Sequence, residues 1–122
     1  LADAGVWAGV TLMPVLPSIE DDEASIRRLI TRAAECGAKY VIPAWGMTLR
    51  DRQRDYYYAQ LDRLFPGYRE RYERAYGERY SAGAPTAMRL ERAFTDLAAR
   101  YGLERTVAPW QEPARATQLT LW

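Results

Sequence analysis

Two short apolar runs, each stopped by prolines and separated by one helix's length of sequence, constrain this chain more than anything else in it. Residues 6–13 read VWAGVTLM and residues 40–44 read YVIPA. Runs so dense in β-branched and apolar side chains suit strands buried on both faces, as in a parallel sheet covered by helices. Between them Ile26, Leu29, Ile30 and Ala33 recur at helical spacing, with Arg27, Arg28, Arg32 and Glu35 off that stripe. Asp21 or Asp22 supplies an N-cap and Gly37 a stop. The pattern predicts a strand-helix-strand unit with a right-handed crossover. In such units ligands gather where strands end and turns present side chains. The two junctions to watch are therefore MPVLPSIEDD, residues 13–22, and KYVIPAWGMTLRDRQRDYYY, residues 39–58.

The rest of the chain reads as helical. One helix is expected after Thr48, with Thr48 as cap, Asp51 as its partner, and Tyr57, Leu61 and Leu64 buried. Phe65, Pro66 and Gly67 break it. A second helix over residues 68–76 carries Tyr68, Tyr72 and Tyr76 on one side, and Gly77 ends it. Residues 81–85 read as a loop. A last helix over residues 86–101 turns Leu90, Phe94, Leu97 and Tyr101 inward, and residues 103–122 show no periodicity. Two inner strands cannot form a doubly covered parallel sheet alone. LADAG at the start reads as the last turn of a helix closed by Gly5. Both features predict that these residues form the back portion of something longer.

Composition narrows the chemistry. In 122 residues the apolar share is 48% and the net charge +1, so the chain reads as globular without a strong field toward nucleic acid or lipid. No run approaches the roughly 20 apolar residues of a membrane span. Cys36 is the only cysteine, which excludes an internal disulfide and a cysteine-rich metal site within these residues; a cytoplasmic setting is the simplest expectation. With no histidine, the usual neutral-pH base and the commonest metal ligand are absent. Of 17 cationic side chains only Lys39 is a lysine, and arginine's fork suits phosphate and carboxylate.

Individual motifs carry two readings each. Pro14 and Pro17 rigidify a turn, or hold one wall of a cofactor pocket. Glu20, Asp21 and Asp22 read as a capping cluster more readily than as metal ligands. Arg50, Arg52, Gln53 and Arg54 open a helix where the backbone dipole disfavours cations, so they ask for an anionic partner, either Asp51 and Asp55 or a ligand. Tyr56, Tyr57 and Tyr58 cannot all face one way, and an exposed ring could stack on a base.

GVWAGVTLMPVLPSIEDDE and ECGAKYVIPAWGMTLRDRQRDYYYAQLDRLFPGYRERY resemble the C-terminal half of radical S-adenosylmethionine proteins of the DNA-repair-photolyase-like, spore-photoproduct-lyase-like group. The likeness covers about residues 1–103 and is most specific in MPxLPxIxD and GMTLRDRQRDYYY. It implies an α/β fold, the C-terminal portion of a partial (β/α)6 TIM-like barrel. Residues 1–47 would be its last βαβ unit, residues 48–103 a helical extension and residues 104–122 an irregular tail. Met13, Pro14 and Pro17 would lie near the adenosine of S-adenosylmethionine. Trp45, Met47, Arg50, Arg52, Arg54 and Tyr56 would lie on the substrate side. The parent would hold a [4Fe-4S] cluster on a CxxxCxxC loop and cleave S-adenosylmethionine reductively to a 5′-deoxyadenosyl radical, with a nucleic acid lesion as a candidate substrate. Since that loop is not among these residues, this chain alone is expected to hold no cofactor and no catalytic residue, and to need the N-terminal half of the barrel as its partner.

The last five residues, QLTLW, resemble the peptide by which bacterial replication proteins bind the DNA sliding clamp. Gln118 would fix register while Leu119, Leu121 and Trp122 fill apolar pockets. An alternative class follows: a helical nucleic-acid or protein-binding module using the arginine and tyrosine face of residues 50–76.

Overall fold

The structure, a computed structural model, describes residues 2–109. It is a mixed α/β arrangement built around two adjoining apolar cores. Strands β1 (Gly9–Leu12) and β2 (Tyr40–Pro43) pair in parallel, with Gly9 opposite Tyr40 and Leu12 opposite Pro43. Helix α1 (Glu23–Glu35) makes the crossover. Its N-cap is Asp22, whose Oδ2 accepts the Ser25 N–H at 2.8 Å; that bond holds the Asp22 carboxyl below the usual aspartate range.

The first strand is shorter than the apolar run predicts, and it is covered on one face only. Leu12 is buried, but Thr11 is exposed, and Val6, Trp7 and Met13 lie outside the strand and are also exposed. The reason is pairing. Among the described residues the ladder bonds of β1 run to β2, and no strand flanks its outer edge. Leu29, expected on the buried stripe of α1, shares that open flank at 42% exposed. The outer edge of β2 is partly closed by the chain beyond the last helix. There the Val41 N–H donates to the Glu104 carbonyl and the Glu104 N–H to that of Lys39, each at 2.9 Å.

Two short strands were not expected. After the Trp45 turn, β3 (Gly46–Thr48) pairs antiparallel with β4 (Ser81–Gly83), the segment read as a loop. Three-residue strands of Gly, Ser, Ala, Met and Thr carry almost no local β signal, so only long-range pairing defines them. Thr48, being in β3, does not cap α2 (Asp51–Leu64). Arg50 occupies that position, and its side chain makes no capping bond. The predicted α3 (Tyr68–Tyr76) is present, and α4 (Ala87–Tyr101) follows β4.

The buried residues fall into two cores. Helix α4, grouped above with a helical extension, packs instead on α1 and the parallel sheet. Leu90, Phe94 and Leu97 bury there beside Ile26, Ile30 and Val41. Tyr101, at the end of α4, is 39% exposed rather than inward. The second core joins α2, α3 and β4 through Leu49, Tyr58, Leu61, Tyr72 and Ala82. Tyr58 rather than Tyr57 is the fully buried member of the triple tyrosine, and Leu64 is exposed. The tyrosine stripe of α3 therefore faces inward. Tyr72 donates to the Pro17 carbonyl at 2.6 Å and hydrogen-bonds the Tyr57 hydroxyl at 3.0 Å, fastening the loop after β1 to the second core. Burial pushes the Tyr72 phenol well above its ordinary range, so it stays a neutral donor.

Candidate functional site

A cleft of about 640 Å³ opens at the C-terminal ends of β1 and β2, within the size range of small-molecule sites. Met13, Pro14 and Ala44 contribute from the strand ends. Trp45, Gly46, Met47 and Thr48 form one side, Ser81, Ala82 and Gly83 the facing strand, and Gln53 reaches in from α2. The loop after β1 is stitched to β3 by the Val15 N–H donating to the Gly46 carbonyl at 3.2 Å. The Ala84 N–H closes on the Trp45 carbonyl at 2.9 Å.

Gly46 makes this approach possible. Its φ is +149°, and a Cβ built there would meet the Ala82 carbonyl oxygen at 2.5 Å and the Gly83 Cα at 2.9 Å. A side chain would force β4 away from β3.

Trp45 is the best-anchored side chain of the wall. Its Nε1–H donates to Glu91 Oε2 at 2.7 Å, and its ring meets Phe94 edge-on at 6.4 Å. Glu91 in turn takes both guanidinium nitrogens of Arg105, with Nη2 to Oε2 at 3.0 Å, and Arg105 lies over the Phe94 ring at 5.3 Å. The Arg105 bonds first, and the Trp45 bond second, hold the Glu91 carboxyl below the usual glutamate range. The Arg105 pair needs the carboxylate form, and the Trp45 bond is strongest with it. Both are therefore complete above the ordinary glutamate pKa of about 4.3 and weaken only as pH falls through the lower folded-state value. Acidification through that range should shift Trp45 emission to longer wavelength, measured as the difference between the wild type and Trp45→Phe. A pH-independent difference spectrum counts against the bonded geometry.

The lining residues of the cleft are a tryptophan, two methionines, a proline and small residues, with Thr48, Gln53 and Ser81 as the polar ones. Among the described residues no ionisable one lines it. A planar, largely apolar ligand with a few hydrogen-bonding groups fits such a surface.

Five residues singled out from the sequence meet here: Met13, Pro14, Trp45, Met47 and Gln53. Pro17 does not; it is fully buried, and its carbonyl serves Tyr72. Arg50 is exposed beside the cleft, where its Nε donates to the Tyr80 hydroxyl at 2.8 Å and its guanidinium lies over that ring. Arg52 and Tyr56 are exposed on α2 away from the wall. Arg54, expected toward substrate, is buried and bonded to the carbonyls of Leu49, Glu78 and Arg79. Its expected role gives way to an internal one because the end of β3 and the chain entering β4 present those carbonyls together. Gln118, Leu119, Leu121 and Trp122 lie outside the described residues.

Sequence reasoning missed Ser81, Gly83, Glu91 and Arg105. A small-residue run such as SAGAP carries no strand signal, and Glu91 looks like any solvated helix position.

Among the described residues no group of three His, Cys, Asp or Glu side chains is placed to hold a metal ion. Cys36 caps the C-terminus of α1 and lines a hollow with Ala8 and Gly9, at the end of the sheet opposite the cleft. This donor set does not fit an iron–sulfur cluster. No helix among the described residues is long and apolar enough to cross a membrane.

No family model, no curated protein and no solved structure matches this chain.

Proposed function

We propose that this chain supplies the last two parallel strands of a partial (β/α)6 barrel of the radical S-adenosylmethionine type, and that its cleft forms the wall against which the adenosyl group rests. One observation carries most of the weight: the cleft lies at the C-terminal ends of a parallel strand pair whose first strand has an unpaired outer edge. An open edge with exposed Met13 and Leu29 beside it suits a further strand and its helix packing alongside β1. The resemblance through MPxLPxIxD and GMTLRDRQRDYYY adds to this.

S-adenosylmethionine would supply hydrogen-abstracting chemistry once its sulfonium is reduced. The residues here would do three other things. Trp45 and the two methionines would hold the adenine plane, Thr48, Gln53 and Ser81 would offer hydrogen bonds, and the apolar wall would keep water from the reacting end. On this reading the cluster would have to be held by other polypeptide. A nucleic-acid-binding module built on Arg50, Arg52, Arg54 and the tyrosine stripe has less support, since Arg54 and Tyr72 are used inside the second core.

The test is anaerobic reconstitution of this chain together with the polypeptide encoded upstream of it. The expected result is a three-cysteine CxxxCxxC loop, cluster absorption and release of 5′-deoxyadenosine. Trp45→Ala should weaken S-adenosylmethionine binding about 10-fold, on the order of one lost aromatic stack. An upstream segment without that loop, or a reconstituted protein that ignores S-adenosylmethionine, overturns the assignment.

A further inference from the structure

We infer that Glu91 and Arg105 are positioning residues for the cleft, fixing the plane of Trp45 so that its ring forms a rigid wall for a planar heteroaromatic ligand. Four side chains from three separate segments form one closed unit. Trp45 stands at the turn between the sheet and β3, Glu91 and Phe94 on α4, and Arg105 on the stretch that passes β2. Each member contacts two others: indole N–H to carboxylate, carboxylate to guanidinium, guanidinium over the phenyl ring, and phenyl edge to indole.

The strength of the unit comes from its charge. An N–H bonded to a carboxylate is worth more than one bonded to a neutral acceptor. Arg105 matters because it holds both carboxylate oxygens and so removes Glu91's freedom to rotate away. An indole free to swing would lose rotamer entropy on binding a ligand, whereas one already held has none to lose. Packing alone would not require an ionised acceptor here: Trp45 is only half-buried, and water could satisfy its N–H. The geometry therefore points to orientation rather than to stability.

The ligand class rests on the adenosyl reading above, so the experiment separates the two claims. The full chain labelled with ¹⁵N at indole nitrogens is compared as wild type, Glu91→Leu, Glu91→Gln and Arg105→Leu, with Trp45→Phe identifying the signal. The expected result is slow solvent exchange of the Trp45 Nε1–H in the wild type. Exchange should be about 10-fold faster in Glu91→Leu, and intermediate in both Glu91→Gln and Arg105→Leu, since an amide oxygen still accepts the N–H but no longer pairs with Arg105. Adenosine, titrated as probe, should bind about 10-fold more weakly to Glu91→Leu at unchanged Tm. Equal exchange rates in the wild type and Glu91→Leu overturn the positioning role, as does equal adenosine affinity where the wild type binds. A wild type that binds no adenosine overturns the adenosyl reading and leaves the exchange rates to decide this one. Should Glu91→Leu fail to fold, Arg105→Leu and Glu91→Gln decide it by the same two measurements.

Discussion

Arg54→Leu should lower stability by about 3 kcal/mol, or roughly 10–15 °C in Tm, while Glu78→Ala should change it by less than about 1 kcal/mol. The salt bridge between these residues suggests the opposite, equal importance, and exposure decides against it. The Glu78 side chain is 97% exposed, so water competes for its carboxylate and can take its place at Arg54 Nη1, while the carbonyl bonds of Nη2 stay intact. The Arg54 side chain is only 10% exposed, and one of its terminal nitrogens serves three carbonyls. Nη2 donates to Arg79 O at 2.8 Å, Glu78 O at 3.0 Å and Leu49 O at 3.2 Å. These carbonyls belong to the chain leaving β3 and the chain entering β4. Leucine fills much of the volume but strands the Leu49 carbonyl in the second core and leaves the two segments without their common tie. Chemical denaturation of both variants checks this. A loss of similar size in the two would mean that the ion pair, not the carbonyl clamp, is what Arg54 provides.

Arg54 also shows where sequence reading runs out. Its place in a run of cations at a helix start suggested an anionic ligand, because helix dipoles make arginine unfavourable there. The compensation comes from carbonyls some 25 residues further along the chain, at Glu78 and Arg79, which no local pattern reveals. The same limit hid β3 and β4, whose pairing of Gly46 with Gly83 and Thr48 with Ser81 joins residues still further apart in sequence. What was legible was periodic. The α1 stripe of Ile26 and Ile30, the α4 stripe of Leu90, Phe94 and Leu97, and the two parallel strands all follow from spacing and composition. Half of the candidate site followed too, because Met13, Pro14, Trp45 and Met47 stand where apolar strands end. The other half, Ser81, Gly83 and the Glu91 anchor, came from elements whose meeting depends on tertiary packing.

Burial on both faces failed as an expectation for the first strand, and the reason bears on function. Residues 6–13 are apolar enough to be enclosed, yet Val6, Trp7 and Met13 stand exposed, and Leu29 joins them from α1. Scattered exposed apolar residues need no explanation; here Met13 and Leu29 line one hollow with Thr11 and Leu12 beside the unpaired strand edge, while the Trp7 ring lies against Tyr40 of β2. Such an edge is costly in water unless something covers it. That is why the open edge, rather than any single side chain, bears most of the weight in the barrel proposal.

Gly46→Val should be the most damaging single change at the cleft, costing about 3 kcal/mol or more and closing the site, while Gly83→Ala should stay within about 0.5 kcal/mol of wild type. Both glycines line the same cleft on facing strands, so a simple cleft-filling effect would treat them alike. Their surroundings differ. At Gly46 the backbone sits at φ +149°, which a β-branched residue adopts only under strain, and the new Cβ would lie 2.5 Å from the Ala82 carbonyl oxygen. The atoms it meets are backbone, which cannot rotate aside as a side chain tip can. Relief requires β4 to move off β3, which breaks the short ladder and loosens Ala82 from the second core. At Gly83 a Cβ meets nothing within 4 Å. Thermal unfolding followed by circular dichroism, with Trp45 emission reporting on the cleft, should show a large loss in both signals for Gly46→Val and almost none for Gly83→Ala. If the two variants unfold together, the close approach of β3 and β4 is not what shapes the cleft.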